Sequence, residues 1–573
     1  MRILAFQSGL HDASAAVFED YRLVAAVAEE RLRRDKGWGN AIPWLAIDEV
    51  LQIAGWSRYD VDAIAAIRAV FPLHYFRFPL LRDVGYTMRK HLGRERVSRD
   101  LAAISARTGV GDSNKLFRTK LFLAENGFRQ QTNLQFVNHH EAHGLAALFY
   151  TDWDNALVYT ADGVGDNVSY SVRSLHDGKL NCHVGGEEWL TVGRAPRNSL
   201  ATAYGHATEA AGFRMWRHEG KLTGLAAWGQ PTLTDRLASY FRLGDDGLIH
   251  TDFANWQKMR EVILNVCRDE KRENIAASIQ TLVENLVPRA IAYWLKRTGT
   301  DRVALGGGLF ANVRLNRLIA ESLPLKEVFI FPAMGDDGLA VGAGLCFLRD
   351  RDGIGTWLQQ RRRLDNVYLG RDFDGEIDSC LAADQRVKRL PDMPVTATTD
   401  LIQAGKVGAI YTGRMEFGPR ALGARSILAS PSNADINDSL NKRLDRSEFM
   451  PFAPYVLEED AARVFDISPL NAYAARFMTI TCGVKPEWRS RIPAVVHVDN
   501  TARPQIIRDS ENPTFAAILR EFRQRTGIPV LVNTSFNVHE EPIINRPQEC
   551  LRALLEDRVD FVVTKSAVYV KQA

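Results

Sequence analysis

The 573-residue chain has only six cysteines, and none of them lies in a CxxC pair. Such dispersed cysteines exclude a disulfide scaffold and argue against a zinc finger, which needs closely paired ligands. No run of about 18 apolar residues is present, so no membrane-spanning helix is expected. The N-terminal "MRILAFQSG" becomes polar too early for a secretory signal peptide. These absences predict a protein of the reducing cytoplasm that has no membrane partner.

The chain also lacks a strong excess of either charge. Its 72 basic and 69 acidic residues leave a formal net charge of +3. Proteins that coat nucleic acids carry a larger basic excess, so no nucleic-acid partner is expected. Hydrophobic residues make up 46% and charged residues 25%, which is typical of globular proteins. At about 150 residues per domain, the length predicts three or four domains or lobes. No internal repeat is evident.

Strands followed by glycine turns and helices recur through the first two thirds of the chain, for example in "RVALGGGLFANVRLNRLI" and "EVFIFPAMGDDGLAVGAGLCFL". The predicted elements are strands at 2–6, 134–137 and 156–162 and helices over 44–54 and much of 79–127. A polar, turn-rich stretch over 350–395 marks a boundary near residue 360. The sequence therefore predicts a layered α/β protein with domains 1–360 and 361–573.

Three histidines and a glutamate lie within "HHEAH", residues 139–143. On a helix, His139 and His143 lie on one face about one turn apart, so they can share one ion. The segment lacks the HExxH spacing of zinc proteases, so further ligands must come from elsewhere. Asp162, at a strand end, and Asp336, in a loop, are the candidates. Imidazole with carboxylate suits iron, manganese or zinc better than calcium. The alternative is that these histidines are ordinary hydrogen-bonded polar residues.

Glycine-containing turns follow several predicted strands, among them "QSGLHDAS", "DGVGDN" and "GGGLFAN". Such turns let backbone N–H groups approach a phosphate, and a following helix N-terminus favours an anion. Each turn alone is a weak signal because glycine turns are common. Together with the metal candidates they indicate a nucleotide site of the kind found in actin, hexokinase and the chaperone ATPases.

The C-terminal unit places arginines beside proline, glycine and small polar residues, in turns rather than on helical faces. A guanidinium group binds phosphate or carboxylate oxygens bidentately, so this pattern predicts a site for a small phosphorylated or carboxylated ligand. Surface salt bridges are the alternative for some of these arginines. The basic and polar candidates are Arg414, Arg420, Arg425, Lys442, Arg443, Arg446, His497, Arg503, Asn533, Ser535 and Asn537.

Taken together, the motifs resemble those of the O-carbamoyltransferases of antibiotic and nodulation-factor biosynthesis. The matching segments are "HDASAA", "HHEAH", "VYTADGVGDN", "HEGKLTGLAAWG", "EFGPRALGARSI", "MPFAP", "TARPQ" and "VNTSFNVHEEPI". The resemblance covers nearly the whole chain in the expected order. It implies an N-terminal actin/hexokinase-like ATPase domain, similar to the metal-dependent ATPase of the tRNA threonylcarbamoylation system. It also implies a C-terminal α/β domain similar to that system's carbamoyl-adenylate-forming partner.

The resemblance also implies roles for individual residues. His11 would position or deprotonate the acceptor hydroxyl, and Lys36 would lie near the nucleotide or carbamoyl group. The implied metal ligands are His139, His143, Asp162 and Asp336, and the implied nucleotide contacts are Gly163, Gly165, Lys221, Gly307, Gly308 and Asn312. The implied carbamoyl phosphate contacts are Arg420, Lys442, Arg446, Arg503, Asn533 and Ser535. Many relatives carry a lysine where this chain has Leu444 and Asp445, so Lys442 or Arg443 would replace it.

The implied activity is O-carbamoyl transfer to a hydroxyl of a small-molecule natural product. Carbamoyl phosphate and ATP, with Mg²⁺, would form carbamoyl-adenylate, and Fe²⁺, with Mn²⁺ or Zn²⁺ as alternatives, would occupy the metal site. Because carbamoyl-adenylate hydrolyses in water, a sheltered tunnel or shared cleft between the halves is expected. The loop "WRHEG" at 216–220 is expected to shape the acceptor pocket. The alternatives are a tRNA or protein acceptor, or a non-catalytic ATP-dependent switch; the sequence leaves a homodimer open.

Overall fold

The computed structural model describes residues 1–77, 98–192, 197–446 and 451–572, and its first layer is a five-stranded sheet. Its strands occur in the order β3-β2-β1-β4-β7, with β1, β4 and β7 parallel and β2 and β3 antiparallel. The elements of this part are β1 Arg2–Gln7, β2 Ser14–Glu19, β3 Arg22–Ala28, α1 Glu29–Arg33, α2 Trp44–Ala54, β4 Ala63–Ile67, β5 Val70–Pro72, β6 Ser98–Asp100, α3 Leu101–Thr108, α4 Ser113–Leu116, α5 Thr119–Glu125, β7 Asn133–Val137 and α6 His139–Phe149. The predicted helix over 44–54 is confirmed, and part of the helical prediction over 79–127 lies outside the described residues.

A second sheet repeats the topology of the first. Its order is β10-β9-β8-β13-β14, again with an antiparallel trio beside two further parallel strands. The elements here are β8 Ala156–Gly165, β9 Val168–His176, β10 Lys179–Val184, α7 Leu200–Ala210, α8 Glu219–Leu225, α9 Thr234–Ala238, β11 Arg242–Leu243, β12 Ile249–His250, α10 Trp256–Val266, α11 Arg272–Thr298, β13 Arg302–Gly306, α12 Val313–Ser322, β14 Glu327–Ile330 and α13 Leu339–Gln359. The duplicated sheet confirms the predicted actin/hexokinase-like class for the N-terminal half.

Strand β8 is longer than its sequence predicts. The prediction ended this strand at residue 162, but β8 continues to Gly165 and pairs there with Val168 of β9. The two turn residues, Asp166 and Asn167, have φ values of 44° and 67°, which aspartate and asparagine tolerate in tight hairpins. The prediction was wrong because glycine and aspartate suggest a loop, whereas pairing with β9 extends the strand.

Helices α6 and α13 pack against each other between the two sheets. Their closest approach is at Gly342, where an added Cβ would overlap the carbonyl group of Ala142. Only glycine leaves room for this contact, because any larger residue would push the helices apart. The contact fixes the position of the helix that begins with the "HHEAH" segment.

The C-terminal half is also α/β, as predicted, and its eight-stranded mixed sheet has the order β16-β26-β25-β17-β19-β24-β20-β23. Its elements are β15 Tyr368–Asp372, α14 Asp374–Ala382, β16 Val387–Arg389, α15 Pro394–Gln403, β17 Gly408–Tyr411, β18 Arg414–Glu416, β19 Arg425–Ala429, α16 Ile436–Arg443, β20 Ala453–Leu457, α17 Glu458–Val464, α18 Ala472–Ala475, β21 Cys482–Gly483, α19 Pro486–Arg489, β22 Thr501–Ala502, β23 Gln505–Ile507, α20 Pro513–Thr526, β24 Val530–Ser535, α21 Pro547–Leu555, β25 Phe561–Val563 and β26 Val568–Lys571. Among the described residues, no helix combines the length and apolar character that a bilayer crossing requires.

The two halves share packed surface. The rings of Phe329 and Tyr473 stack with centroids 4.3 Å apart, and the Tyr473 hydroxyl donates to the carbonyl of Tyr150 at 2.6 Å. The Arg414 guanidinium donates to the carbonyl of Val24 at 2.8 Å. These contacts are buried or half-buried, so the hydrophobic core continues from one half into the other and fixes their relative position.

Candidate active site

Two histidines and two aspartates meet where α6 begins. Asn138 caps this helix by accepting a hydrogen bond from the backbone of Glu141, so His139 and His143 lie one turn apart on the same face. Nε2 of His143 lies 3.0 Å from Oδ2 of Asp162 and 3.5 Å from Oδ1 of Asp336. Nε2 of His139 lies 3.7 Å from each of these carboxylate oxygens. All four candidate ligand atoms lie within 4.8 Å of one another.

The electrostatics of this cluster fit a cation. Nε2 of both histidines is buried and has no well-oriented hydrogen bond within the described part of the chain. Burial lowers the pKa of His143, but the adjacent carboxylates of Asp162 and Asp336 raise it to about 9. Burial raises the pKa of Asp162, but His139 and His143 hold it well below its usual range. Two imidazoles with two carboxylates form a donor set suited to a divalent transition metal.

His140 and Glu141 point away from this cluster. Nε2 of His140 donates to the carbonyl of Val168 at 3.0 Å, so its Nδ1 accepts from the hydroxyl of Thr160 at 2.8 Å. Burial lowers the pKa of His140 well below its usual value, so the ring is neutral. Glu141 pairs with Arg349 through two contacts of 2.5 and 3.1 Å. Both residues therefore support the helix rather than offer metal ligands.

The glycine turn after β13 brings backbone N–H groups towards the cluster. Gly307 has a φ of 96°, and a Cβ there would overlap the backbone of Ala161. The Gly308 N–H donates to Oδ2 of Asp162 at 3.2 Å. In the β8–β9 hairpin, the Gly163 N–H donates to Oδ1 of Asp162 at 2.6 Å, and Gly165 packs against the ring of His139. The predicted glycines thus surround the candidate ligands.

A cavity of about 370 Å³, here called the central cavity, opens beside this cluster. The N-terminal half contributes to its wall His11, Asp12, Lys36, Asp162, Trp216, Gly308, Asn312 and Asp336. The C-terminal half contributes Arg420, Ser535, Asn537 and Glu541. Residues from both halves therefore line one cavity next to the candidate metal ligands.

His11 lies at the wall of the central cavity. Its Nδ1 contacts Oδ2 of Asp12 at 2.9 Å, and its ring stacks on Trp216 with centroids 5.7 Å apart. Burial lowers the pKa of His11, but the hydrogen bond with Asp12 and the charges of Asp336 and Asp162 raise it to about 10. Asp12, which directly follows His11 in the sequence, was not predicted as a site residue.

Trp216 has a backbone conformation that tryptophan rarely adopts. Its φ is 67°, and its backbone N–H donates to Oε1 of Glu219 at 2.6 Å. The edge of its indole approaches Gly163, yet 48% of the residue is exposed at the cavity. A non-glycine residue held at positive φ is strained, and such strain clusters at functional sites. Trp216 belongs to the loop at 216–220 that was expected to shape the acceptor pocket.

The matching family models decide the assignment. The model described as Carbamoyltransferase N-terminus matches residues 2–345, and the one described as Carbamoyltransferase C-terminus matches residues 399–571. This chain belongs to the carbamoyltransferase family. It is therefore a transferase enzyme, which excludes the non-catalytic switch among the alternatives.

Relatives and solved structures place this carbamoyltransferase among similar proteins. It is 30% identical to the nodulation protein NolNO of Sinorhizobium fredii, over 98% of this chain and 79% of that protein. It is 31% identical to the nodulation protein NolO of Bradyrhizobium diazoefficiens, over 74% of this chain and 77% of that protein. Full-length HypF in a phosphate- and nucleotide-bound form is 13% identical with a TM-score of 0.35, over 62% of this chain and 56% of that chain.

The predicted arginine site of the carbamoyltransferase divides into separate positions. Arg420 lines the central cavity. Arg446 donates to Oγ1 of Thr534, to the carbonyl of Ser535 and to Oδ1 of Asn537, each at 2.8 Å. Arg446 therefore braces the chain that follows β24 and brings Ser535 to the cavity.

The other predicted contacts of the C-terminal half lie at different depths. Asn533 is buried, and its amide donates to Oε1 of Gln505 at 2.5 Å. Lys442 is exposed on α16, and Arg443 pairs with Asp560 at 3.0 Å. These neighbours give no geometric reason to choose Lys442 over Arg443 as the replacement for the family lysine.

Arg503 lines a second, smaller cavity of about 80 Å³, here called the side cavity. The side cavity lies between the halves, since its wall includes Arg314 as well as Phe452 and His497. Thr223 of α8 lines both the side cavity and the central cavity. The central cavity and the side cavity are therefore neighbours that share Thr223 in their walls.

Two further predicted nucleotide contacts of the carbamoyltransferase have partners within the chain. Asn312 caps α12 by accepting from the Leu315 N–H at 3.0 Å, and its amide donates to Gln280 at 2.8 Å. Nζ of Lys221 lies 3.4 Å from Nε2 of His539, across the boundary between the halves.

A contact that sequence patterns did not predict also joins the halves. Nε2 of His218 lies 2.7 Å from Oε1 of Glu540, and the His218 and His539 rings stack. Nδ1 of His218 accepts from the Arg214 N–H at 3.2 Å, so Nε2 carries the proton that Glu540 accepts. This arrangement is a hydrogen bond between the halves. No local signal could have found it, since more than 300 residues separate its partners.

Proposed function

We propose that this carbamoyltransferase forms carbamoyl-adenylate from carbamoyl phosphate and ATP, and transfers the carbamoyl group to a hydroxyl of a small-molecule natural product. The observation that carries the proposal is the central cavity, in which Asp162 and Asp336 of one half and Arg420 and Ser535 of the other share one wall. Carbamoyl-adenylate hydrolyses in water, so its formation and use inside one cavity between the halves would limit its exposure to solvent.

The N-terminal half would hold the metal and the nucleotide. His139, His143, Asp162 and Asp336 fit a divalent transition metal, with Fe²⁺ proposed first and Mn²⁺ or Zn²⁺ as alternatives. Such a metal supplies Lewis-acid stabilisation of negative charge that develops on oxygen. The nucleotide, with Mg²⁺, would lie against the glycines of the β8–β9 hairpin and of the turn after β13, with Lys36, Lys221 and Asn312 at its edge.

His11 would act on the acceptor hydroxyl. Asp12 holds its Nδ1, so Nε2 is the end that can meet a substrate. With a pKa raised to about 10, His11 is an imidazolium that can donate a hydrogen bond and orient the hydroxyl. A cation at Asp162 and Asp336 would offset two of the three carboxylates that raise this pKa and would shift His11 towards the neutral imidazole, which can accept the hydroxyl proton.

The C-terminal half would bind carbamoyl phosphate. Arg420 and Ser535 face the central cavity, and Arg446 fixes the chain that carries Ser535. Arg503 and the buried Asn533 extend the same set of donors, and Lys442 remains a proposed contact. Guanidinium donors are suited to a phosphoryl group because they combine charge with paired N–H groups.

We also propose the division of the chain near residue 360. Helix α13 ends at Gln359, and the family models stop at residue 345 and resume at 399. Residues 1–360 would carry the transfer site, and residues 361–573 would carry the carbamoyl phosphate site. The open face of Trp216 would then form the acceptor side of the first unit.

Purified enzyme tests the proposal directly. ATP is incubated with and without carbamoyl phosphate, and candidate hydroxylated metabolites are searched by mass spectrometry for an added carbamoyl group. We expect pyrophosphate release that depends on carbamoyl phosphate, followed by a carbamoylated small molecule. Release of ADP without carbamoyl phosphate would contradict the adenylate route. Pyrophosphate release with labelling of tRNA or protein instead would replace the proposed acceptor.

A further inference from the structure

His497 lies in a tight turn on the wall of the side cavity. The His497 N–H donates to the carbonyl of Thr501 at 2.8 Å, and the Asn500 N–H donates back to the carbonyl of His497 at 2.8 Å. Asn500 occupies the left-handed region with a φ of 63°. The turn immediately precedes β22, so the position of the imidazole is fixed by regular pairing on its carboxyl side.

Asp499 orients the ring of His497. Nδ1 of His497 lies 3.1 Å from Oδ1 of Asp499, which also accepts from the Thr501 N–H at 3.1 Å and the Thr501 hydroxyl at 2.7 Å. Burial raises the pKa of Asp499, but the hydrogen bonds of His497 and Thr501 bring it well below its usual range. The carboxylate is therefore ionised and can only accept, so the proton of this hydrogen bond is on Nδ1 of His497.

The other ring nitrogen of His497 has no such partner. Nε2 is buried and makes no hydrogen bond within the described part of the chain. A buried polar nitrogen without a partner is costly, so native structures rarely keep one that no ligand or water satisfies. Because Asp499 holds Nδ1, Nε2 is the end of the ring left for a ligand.

The surroundings of Nε2 select the chemistry of that ligand. Arg503 lines the same small cavity, as do the hydroxyl-bearing Thr223 and Thr481. Arg314 is a further lining residue, paired with Glu284 at 2.8 Å. Asp499 is the one carboxylate among the residues that line the described cavity, and its hydrogen bonds direct it to His497 and Thr501. At about 80 Å³ the space suits a phosphate-sized group rather than a nucleotide, since drug-sized ligands occupy about 300 Å³ or more.

We propose that His497, held by Asp499, binds a phosphoryl oxygen in the side cavity together with Arg503. The inference rests on the proposed function, because it identifies this group with the phosphate of carbamoyl phosphate or the phosphate released from it. His497 would meet the phosphoryl group through Nε2, which accepts from a P–OH group or, when the ring carries both protons, donates to an oxyanion, and Arg503 would add a charge-assisted contact. Thr223 lines both cavities, so a phosphoryl group held here lies next to the central cavity.

Calorimetric titration of the full-length enzyme tests this assignment. Inorganic phosphate, carbamoyl phosphate and a non-hydrolysable ATP analogue are each titrated into the wild type and into His497→Asn. Asparagine can keep a donor near Asp499 but removes the Nε2 end. We expect the Kd for inorganic phosphate and carbamoyl phosphate to rise about tenfold or more, and the Kd for the ATP analogue to stay within twofold.

His250→Asn is the matched control. Nε2 of His250 lies 2.9 Å from Oδ2 of Asp246 at the surface, so this variant breaks an equivalent histidine–aspartate pair outside both cavities. We expect it to bind all three probes as the wild type does. His497→Gln, which keeps an amide nitrogen near the position of Nε2, should recover part of the phosphate affinity. His497→Gln also provides the binding test if the His497→Asn variant does not fold.

Each other outcome overturns the assignment. Unchanged phosphate affinity in both His497 variants would remove His497 from the site. A weaker ATP analogue with unchanged phosphate and carbamoyl phosphate would assign the contact to the nucleotide instead. Failure of the proposed function is separable, because a wild type that binds phosphate at His497 yet never consumes ATP with carbamoyl phosphate would retain this inference alone.

Discussion

The two sides of the central cavity have opposite chemistry. The N-terminal side presents Asp162 and Asp336, which form with His139 and His143 a set of ligand atoms within 4.8 Å that attracts a cation. The C-terminal side presents Arg420 and the Arg446-braced Ser535, which attract an oxyanion. A carbamoyl group needs both, because its donor carries phosphate and its transfer places negative charge on oxygen. The comparison shows how one cavity can offer ligands for a cation on one side and donors for an oxyanion on the other.

The two sides are also held differently. His139, His143 and Asp162 lie on a helix and a strand, so regular hydrogen bonding fixes them. Ser535, the last residue of β24, pairs with Ser426 of β19, but the chain just beyond it is held by the guanidinium of Arg446. A rigid site suits a metal, whose ligands must keep their distances, whereas side-chain bracing can hold a substrate that enters and leaves.

The largest expected effect concerns the N-terminal side of the central cavity, which is proposed to bind the metal. His139→Ala and His143→Ala should each lose the bound metal and reduce kcat about 1,000-fold, because the donor set falls from four ligands to three. Elemental analysis of the purified variants and thermal unfolding would separate metal loss from misfolding. The exposed His176 provides the control, since His176→Ala should keep both metal and activity. Unchanged metal content in both α6 variants would remove these histidines from the ligand set.

The metal-free protein should show a pH dependence that arises from the same side. The folded pKa of His143, about 9, lies above its ordinary value of 6.5. Its pairing with Asp162 and Asp336 therefore stabilises the fold fully below pH 6.5, and this contribution is lost as the pH rises through 9. The effect is of the order of 3 kcal/mol.

Unfolding midpoints in chelator at pH 6.5 and pH 9 would measure this dependence, with His143→Gln as the comparison. The wild type should lose more stability than the variant over this interval. The arginines of the C-terminal half remain charged between pH 6.5 and pH 9, so they do not make the stability depend on pH in this interval. The prediction would be contradicted if, between pH 6.5 and pH 9, the wild type lost no more stability than His143→Gln.

Arg503→Ala should weaken the binding of carbamoyl phosphate, to which Arg503 is proposed to contribute from the side cavity, without disturbing the nucleotide. We expect KM for carbamoyl phosphate to rise about 10- to 100-fold, because a charge-assisted contact is lost, while ATP binding changes little. Arg489, exposed on α19 in the same half, offers a matched control. Steady-state kinetics with each substrate varied would show the split, and equal losses for both substrates would argue against a division of labour between the halves.

Trp216→Ala should give the smallest effect, confined to the acceptor. The open face of this indole is proposed to contact the acceptor beside His11, so its removal should raise the acceptor KM about threefold to tenfold. Trp228, which is 56% exposed on the surface, provides a control of equal chemistry. Carbamoyl phosphate-dependent pyrophosphate release should be unchanged in both variants. A Trp216 variant that loses this release instead would assign Trp216 to the earlier reaction.

Much of the N-terminal site was predictable because its signals are local. The four-residue spacing of His139 and His143 already placed both rings on one face, and the helix does present them so. Asp162 lies near the end of β8 and Asp336 follows β14, where the topology brings side chains together. The end of β8 was predicted wrongly because its pairing with β9 is not a local property.

The features that sequence could not predict depend on distant partners. The duplicated sheet order arises from backbone pairing, which leaves no repeat in the side chains. The His218–Glu540 contact joins segments from different halves. "TARPQ" indicated that Arg503 binds an anion, but its position in the side cavity depends on packing against residues such as Thr223.

The position of Thr223 has a consequence for how efficiently the enzyme would use ATP. Thr223 lines both cavities, so under the proposed function it lies between the phosphoryl group in the side cavity and the transfer site in the central cavity. A bulky side chain at this position would not need to alter either set of donors in order to change the yield. The number of products formed per ATP consumed would fall, because intermediates made on one side would be lost to hydrolysis before use. We therefore expect the number of products formed per ATP to depend on the size of the side chain at position 223.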